Sequence, residues 1–223
     1  MKNIFIKIIL FNILILYSNN YLYGKNPTTI TTDGGIKIFQ NEKYYDLKDN
    51  VFIESKNFKL NSDNVLAYYD KDFYDITKII ATGNTKLVTK DGAVIMGEKV
   101  IYDIIKEEFS ITGNGSFKNE RLTVIATEID GSFIKVDDEN QIKNVFARDD
   151  ETVFINNNEM KSYSKSAIYA KKNEVLELFD DVKIIKNQEV TTGDYANINM
   201  INNNYTIKSK KGKKVKLLIN SEE

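Results

Sequence analysis

The sequence predicts an all-β fold, an elongated sandwich or roll of repeated strand-turn-strand units whose sheet edges stay open at both ends. Three observations predict it. Short alternating stretches such as "NVFIES" and "NTKLV" are rich in β-branched and aromatic residues. Turn-forming stretches punctuate the chain, namely "TKDG", "TGNG", "EIDG", "NNNE" and "INNN". The same phrase recurs along the chain, and no segment has the sustained 3.6-residue apolar period of a helix.

The repeated phrase has two anchor positions, of which the first is interpreted as a turn before a short strand. The first anchors are Asn50, Asn84, Asn114, Thr152 and Asp181. The second anchors are Asp63, Glu98, Glu128, Lys165 and Asp194. Two residues later come Val65, Val100, Asp130, Ala167 and Ala196, and the third unit is the least regular. Helical arrays have similar periods, so the pattern within each unit is what predicts strands.

The second strand of each unit has one apolar and one polar face. In the best-preserved unit, Val100 and Tyr102 alternate with Lys99. Such alternation is typical of a sheet that packs on one side only. Units that bury their apolar face only against their neighbours form quasi-linear arrays with two exposed ends.

The composition excludes several classes of protein. The 223 residues include no cysteine, histidine or tryptophan, and the net charge is −1. Disulfides, imidazole triads and thiolate metal sites are therefore impossible, and we expect neither a cofactor nor a metal. An enzyme would have to work with Asp, Glu, Lys or Tyr alone, so we expect a protein that is not an enzyme. The charge gives no electrostatic case for nucleic acid.

The N-terminus predicts export. Lys2 and Lys7 precede an apolar run of ten residues, 8–17, which is half the ~20 residues of a membrane span. This pattern predicts a signal peptide at 1–24, followed by a linker at 25–35 and one β domain at 36–220. An uncleaved membrane anchor is the alternative interpretation of the same segment.

Two repeat units and the C-terminal stretch resemble a known family. "GNTKLVTKDGAVIMGEKVIYD" and "DDVKIIKNQEVTTGDYANI" resemble the repeat of the OstA-like (organic solvent tolerance, LptA) family of lipopolysaccharide-transport proteins, and "YTIKSKKGKKVKLLIN" resembles the family's last strand. The resemblance covers about residues 36–220. The third unit departs from the family pattern, and Asn220 stands where the family's ending often has proline.

The resemblance implies a twisted β-jelly roll, open along one side and without catalytic residues, that works in the periplasm. It implies binding of the acyl chains of lipopolysaccharide (lipid A) and a bridge between the inner and outer membranes. The implied partners are an LptC-like inner-membrane protein, an LptD-like outer-membrane protein and further copies of the chain, end to end.

The resemblance also assigns a lipid-binding groove to apolar strand positions. They are Val51, Ile53, Leu87, Val100, Tyr102, Val153, Ile155, Val182, Ile184 and Ile198. Each is a core residue by default, because most strand faces simply fill an interior. The physics agrees with the resemblance, since an acyl chain gains roughly 0.8 kcal/mol per buried methylene.

Two other functions fit the same features. An LptC-like subunit would be anchored by residues 4–17. An exported β-solenoid adhesin or polysaccharide-binding protein would share the signal and the turns, although its repeats are normally shorter and more regular.

Three further groups of residues have simpler interpretations. The acidic pairs Asp137-Asp138, Asp149-Asp150 and Asp180-Asp181 lack the spacing of a calcium loop, which predicts solvated turns. The lysine run is interpreted as the protected face of an edge strand rather than a phosphate site, and comprises Lys208, Lys210, Lys211, Lys213, Lys214 and Lys216. Four tyrosines are expected to be half-buried strand residues, namely Tyr44, Tyr45, Tyr68 and Tyr69.

Overall fold

The computed structural model describes residues 28–71, 75–136 and 139–219, which form one antiparallel sheet of fourteen strands. In chain order these are β1 (Thr29–Thr31), β2 (Ile36–Phe39), β3 (Tyr44–Glu54), β4 (Phe58–Tyr69), β5 (Ile76–Thr89), β6 (Val94–Asp103), β7 (Glu108–Lys118), β8 (Thr123–Val136), β9 (Glu139–Asn156), β10 (Met160–Ala170), β11 (Val175–Lys186), β12 (Glu189–Asn199), β13 (Tyr205–Lys208) and β14 (Lys216–Ile219). A 3-10 helix, Lys171–Asn173, joins β10 to β11. The predicted all-β fold is confirmed, and the expected signal peptide at 1–24 lies outside the described residues.

The two ends of the sheet are built alike. Each end strand, β3 or β12, is covered by two short strands placed one after the other along its length. The fourteen strands thus occupy twelve positions, which span about 50 Å at roughly 4.8 Å per strand. The edges beyond these short strands are open, as predicted. The sheet begins at Thr29, inside the stretch 25–35 that the sequence assigns to a linker.

The first anchors of the repeat lie within long strands rather than at turns between them. Gly83 and Asn84 have φ of 80° and 44° in the middle of β5, and together they face Glu98 of β6. Asp49-Asn50, Gly113-Asn114 and Asp180-Asp181 form the same left-handed pair. Two residues facing one make a β-bulge, which bends a strand and increases its twist. Each repeat is therefore two long bent strands, and the interpretation of the first anchors as turns before short strands was wrong.

The asparagine of a bulge is also held by a carboxylate. Asn84 donates a hydrogen bond from Nδ2 to Asp63 Oδ2 at 3.1 Å, and Asn114 donates one to Glu98 Oε1 at 2.7 Å. Asn50 does the same to Asp33 Oδ2 at 2.8 Å. Asparagine tolerates the left-handed region better than most residues, and the carboxylate gives its amide a partner. The anchors therefore recur because every second strand must bend at the same level.

The fourth bulge is wider than the others, which explains the long interval between the anchors Asn114 and Thr152. Ile125 pairs with Phe154 and Glu128 with Arg148, so five residues of β9 face two of β8. The Asp149 carboxylate organises these residues by accepting hydrogen bonds from the Thr127 backbone nitrogen at 2.7 Å and the Thr152 nitrogen at 2.9 Å. Desolvation acts to raise the pKa of Asp149, but the hydrogen bond from the Thr127 hydroxyl and those from the backbone nitrogens outweigh it and hold the pKa below its usual value.

The irregular third repeat is shifted by one residue. Thr127, not Glu128, faces the bulge at Gly113-Asn114, because Thr112 pairs with Glu128 and Gly115 with Ala126. The inward position after it is accordingly Ile129, which is fully buried, whereas Asp130 points outward. The alignment of the third unit on Glu128 and Asp130 was therefore wrong by one position.

The bulges fold the sheet into two facing leaves. Leaf 1 consists of the strand segments on one side of the bulges, from residues 44–48 of β3 across the sheet to β13. Leaf 2 consists of the segments on the other side, from residues 51–54 of β3 to β14. Phe109 and Phe117 belong to one strand, yet their rings stack with centroids 5.4 Å apart. Eight residues of straight strand would span about 26 Å. The line of bulges is therefore a fold line, called the seam below, and the result is a jelly roll.

Small residues line leaf 2 next to the seam, where the leaves approach most closely. A Cβ placed on Gly97 would collide with Ile111 Cγ2 of leaf 1, and one on Gly115 would lie 2.7 Å from the Ala126 oxygen. Beside these glycines, the Ser62 and Thr85 hydroxyls are 2.9 Å apart and satisfy each other. The inward side chains of both leaves form one core cluster.

Candidate functional site

All ten residues assigned to the groove point into the space between the leaves. Their exposed fractions are 0–5%, and all belong to the single core cluster. Leaf 1 contributes Val100, Tyr102 and Ile198, and leaf 2 contributes the other seven. Lys99 and Lys183, one residue away from two of them, are exposed. The alternation in the sequence thus gave the inward face correctly.

The interior is closely packed by its own side chains. Burial this complete means that the leaves touch along the rows that contain Leu87, Val100 and Ile184. An apolar chain placed between them must separate the leaves or displace side chains. The apolar surface is nevertheless continuous from strand to strand, because each inward position has an inward neighbour on the next strand.

Aromatic side chains close the open side of the roll, called the mouth below, where the hairpins of the two leaves meet. Phe58, in leaf 2, lies 6.1 Å from Tyr102 in leaf 1, centroid to centroid. Phe133 continues the contact at 6.3 Å from Tyr102 and 5.3 Å from Phe109. Sequence reasoning found only Tyr102 of this cluster. The available signal was an aromatic residue within a few positions of a hairpin.

The Tyr102 hydroxyl lies in a poorly hydrated, negatively charged position. Burial, with the nearby carboxylates of Glu107 and Asp91, raises the pKa of Tyr102 to about 12. Glu107 belongs to a hairpin of leaf 1 and Asp91 to a hairpin of leaf 2. Tyr102 therefore stays neutral at physiological pH, and it presents a ring to the interior and a hydroxyl to the mouth.

A second group at the mouth is centred on Glu174. Its carboxylate accepts hydrogen bonds from Tyr169 Oη at 3.0 Å and from Lys171, and it lies 3.4 Å from Arg121 Nη1. Desolvation opposes ionisation, but these donors prevail and hold the pKa of Glu174 below its usual value. Burial and the same hydrogen bond raise the pKa of Tyr169 to about 12. Glu174 is thus an anion held by three groups, one of them from the opposite leaf.

The acidic pairs form no metal site among the described residues. Asp149 organises the wide bulge, and Asp180-Asp181 form a bulge of their own. Asp180 is also paired with Lys210. These two pairs therefore lie in bulges at the seam rather than in the predicted turns. The pair Asp137-Asp138 lies outside the described residues.

Most of the lysine run crosses the seam and does not belong to an edge strand. Residues 209–215 connect β13 to β14 and include a turn closed by a 3.0 Å hydrogen bond from the Lys213 nitrogen to the Lys210 oxygen. Lys213 Nζ lies 2.7 Å from Asp194 Oδ1, and this hydrogen bond lowers the pKa of Asp194. The edge-strand interpretation holds only for Lys208 and Lys216 and was wrong for the rest.

The four tyrosines divide between the two faces of leaf 1. Tyr44 and Tyr68 are half-buried on the outer face, with centroids 5.5 Å apart, as expected. Tyr45 and Tyr69 are buried and point inward, with centroids 5.2 Å apart. The prediction was therefore wrong for the inward pair, which belongs to the core.

A groove of about 430 Å³ lies on the outer face of leaf 1. Its walls include apolar Ile101, Phe146 and Ile168 and charged Lys78 and Asp130. These are outward positions, since their strand neighbours Val100, Val145 and Ile129 are buried. None of the ten assigned residues lines this groove.

A bent antiparallel sheet with a continuous apolar interior and two open edges defines a β-jelly roll made of repeated units. Residues 30–137 match the family described as LptA/(LptD N-terminal domain) LPS transport protein. This part of the chain is similar to the OstA-like family of lipopolysaccharide-transport proteins, which the sequence resembles.

One similar solved structure is LptH from Pseudomonas aeruginosa, described as the LptA homologous periplasmic component of the conserved lipopolysaccharide transport device. The two chains are 11% identical, the alignment covers 88% of this chain and 96% of that one, and the TM-score is 0.27. A likeness at this level supports no statement about function. No curated protein matches the chain. Among the described residues, no helix is long and apolar enough to span a membrane.

Proposed function

We propose that this protein carries lipopolysaccharide across the periplasm, with the acyl chains between the two leaves and the sugar headgroup in water. The observation that carries the proposal is the continuous apolar interior, in which all ten assigned residues are buried. The match of residues 30–137 to a family of lipopolysaccharide-transport proteins supports it. The chain acts by binding and shielding its cargo, not by chemistry on it.

Energetics favour a shared interior over a pocket. Each methylene that leaves water gains roughly 0.8 kcal/mol, so a long acyl chain offsets the loss of some contacts between the leaves. Neighbouring inward positions resemble one another, as in the row of Leu60, Leu87 and Ile95. A lipid can therefore move from strand to strand without a deep minimum that would trap it.

Both ends of the roll expose apolar residues that lie in rows of the core, which supports end-to-end assembly. Ile36 and Ile38 at one end are 46% and 53% exposed, although they pair with the inward residues Leu47 and Tyr45. At the other end Leu217 is 57% exposed, although it pairs with the buried Thr191. Apolar residues in core rows are exposed here because the next strand is absent. A second copy would supply that strand.

Strand direction supports the same arrangement. At the C-terminal end, the chain passes from leaf 1 in β13 to leaf 2 in β14. At the N-terminal end, it passes in the opposite direction, from leaf 2 in β1 to leaf 1 in β2. One end of a copy therefore meets the opposite end of another in the antiparallel direction used throughout the sheet. We propose that LptC-like and LptD-like proteins use the same two edges, so that the interior continues from the inner to the outer membrane.

The fold bears on one of the two alternative functions, the β-solenoid adhesin, but not on the LptC-like subunit. Stacked β-solenoid rungs are parallel, whereas all strand pairs described here are antiparallel, which disfavours the adhesin interpretation. The LptC-like alternative depends on residues 4–17, which lie outside the described residues. Intact mass of the exported protein distinguishes it, since a cleaved chain excludes an N-terminal anchor.

Photo-crosslinking tests the proposed lipid site directly. A benzoylphenylalanine in place of Tyr102, which already has a ring at the mouth, should capture lipopolysaccharide in cells. The same probe at Lys99 should capture little, because adjacent strand residues point to opposite faces. Ile184 and Lys183 make a second matched pair in leaf 2. Equal labelling at inward and outward positions would contradict a site between the leaves.

A further inference from the structure

The backbone limits how a lipid can reach the interior. The seam is closed by the chain itself, and each leaf is closed by hydrogen bonds between neighbouring strands. The remaining routes are the two open ends and the mouth, where hairpins of leaf 1 face hairpins of leaf 2. A lipid with a bulky headgroup that moves along the roll needs the mouth, because its acyl chains lie inside and its sugars remain outside.

Polar side chains join the two leaves across the mouth in the C-terminal part of the roll. Arg121, in the β7–β8 hairpin of leaf 2, meets Glu174, in the β10–β11 hairpin of leaf 1, with 3.4 Å between Nη1 and Oε1. Asn157, in the β9–β10 hairpin of leaf 2, donates from Nδ2 to Asn203 Oδ1 at 2.8 Å in the β12–β13 hairpin of leaf 1. Lys186 of leaf 2 donates to the Asn203 backbone oxygen at 3.2 Å.

The first two contacts share one geometry. In each, a hairpin of leaf 2 meets the hairpin of leaf 1 that lies three strands further along the chain. The aromatic contact of Phe58 with Tyr102 has the same offset, from the β3–β4 hairpin to the end of β6 beside the β6–β7 hairpin. The offset follows from the twist of the sheet, which carries each leaf sideways relative to the other. The contacts are therefore a regular feature of the mouth.

These contacts are suited to opening. Arg121 has a side chain that is 68% exposed, and exposed ion pairs contribute little to stability. Arg121–Glu174 and Asn157–Asn203 join hairpin residues, so breaking them leaves the strand pairing of both leaves intact. Glu174 also keeps Tyr169 and Lys171 as partners when Arg121 leaves, because both belong to its own leaf.

We propose that Arg121–Glu174 and Asn157–Asn203, supported by Lys186, form a clasp across the mouth that must open before acyl chains enter the interior. The proposal rests on the lipid-binding function proposed above and adds the route and the residues that control it. The clasp closes the interior when it is empty and admits a lipid sideways between the hairpins.

A covalent bridge across the mouth tests the clasp. The chain has no cysteine, so Arg121→Cys with Glu174→Cys introduces the only thiols, which a short bis-maleimide joins. The same double variant capped with N-ethylmaleimide is the open form, and a bridged K183C/T192C pair within leaf 2 is the control for bridging. The measurement is the association rate of purified rough lipopolysaccharide.

The clasp predicts that the bridge across the mouth slows association at least tenfold and that the bridge within leaf 2 leaves the rate unchanged. In addition, Arg121→Ala should raise the association rate a few-fold, whereas Arg148→Ala, which breaks an ion pair with Glu128 on the sheet surface, should not. Equal rates for the bridged and capped double variants would overturn the clasp and leave lipid binding intact. Absence of binding by every variant and by the unmodified chain would overturn both proposals.

Discussion

The hydroxyl groups of Thr191 and Tyr205 lie 2.8 Å apart and join the two leaves within the interior. Thr191 is on β12 in leaf 2, and Tyr205 is on β13 in leaf 1. Two other hydroxyl residues, Ser162 and Ser164, are buried on leaf 2. Ser162 lies in the same row as Thr191, because both pair with Ile184. The C-terminal part of the interior is thus held by polar as well as apolar contacts, in keeping with the clasp at the mouth above it.

Removing the Tyr205 hydroxyl should loosen this end of the roll. Tyr205→Phe leaves the Thr191 hydroxyl without its partner, so we expect a loss of about 1 kcal/mol in the free energy of unfolding. Tyr195→Phe is the matched control, because Tyr195 donates to Glu177 on the outer face, where water can replace the contact. Urea denaturation of both variants measures the difference. A Tyr195→Phe loss as large as that of Tyr205→Phe would contradict the special role of the inner contact.

The bend at the seam should depend on a missing side chain at Gly97. A Cβ there would collide with Ile111 Cγ2, which belongs to the core, and would lie 3.3 Å from the Gly113 backbone oxygen. Gly97→Ala should therefore destabilise the fold by about 1–3 kcal/mol, as overpacking does. Met96→Ala, one residue away and on the exposed face, should change stability by about 0.5 kcal/mol or less. A neutral Gly97→Ala, measured by the same urea titration, would mean that the leaves are further apart.

The sequence was sufficient for the inward face of the regular repeat strands but not for the bend or for the third unit. Val100 and Tyr102 alternate with Lys99, and a period of two leaves no choice of face once one side is buried. The dipeptide Gly83-Asn84, by contrast, is equally suited to a hairpin turn and to a bulge, because both require left-handed backbone. Only pairing on both sides of the strand distinguishes them, and pairing is not local.

The mouth could not be predicted for a similar reason. Phe58 and Tyr102 are 44 positions apart in the sequence, and they meet through the three-strand offset that the twist creates. Arg121 and Glu174, 53 positions apart, meet in the same way. No periodic signal within a repeat carries this offset, because it is a property of the folded sheet. In the sequence, an arginine such as Arg121 in a hairpin cannot be distinguished from a residue of an ordinary solvated turn.

The clasp should weaken in acid. The pKa of Glu174 in the folded chain lies below its usual 4.5, so its stabilising contribution is complete above that value and is lost as the pH falls through the lowered pKa. The Tyr169 hydroxyl stays neutral throughout, because its pKa is raised to about 12. The protection factors of the amide hydrogens around Lys171–Asn173, which are corrected for the intrinsic pH dependence of exchange, should fall below about pH 4.5. Glu174→Gln should have low protection factors at neutral pH that change little in acid, and an unchanged acid response in that variant would assign the effect to another carboxylate.

The open ends give the most direct test of assembly. Leu217 and Ile219 of β14 are 57% and 62% exposed, so Leu217→Lys with Ile219→Lys should leave the monomer folded. The double variant should lose end-to-end oligomers, because charged side chains on an edge prevent strand addition. The matched control is the same change at Ile105 and Ile125, which are 73% and 45% exposed and lie in the β6–β7 hairpin and in β8, away from both edges. Light scattering over a range of protein concentrations measures the mass of each form. Oligomers that persist in the edge variant, or that disappear equally in the control variant, would show that copies associate through another surface.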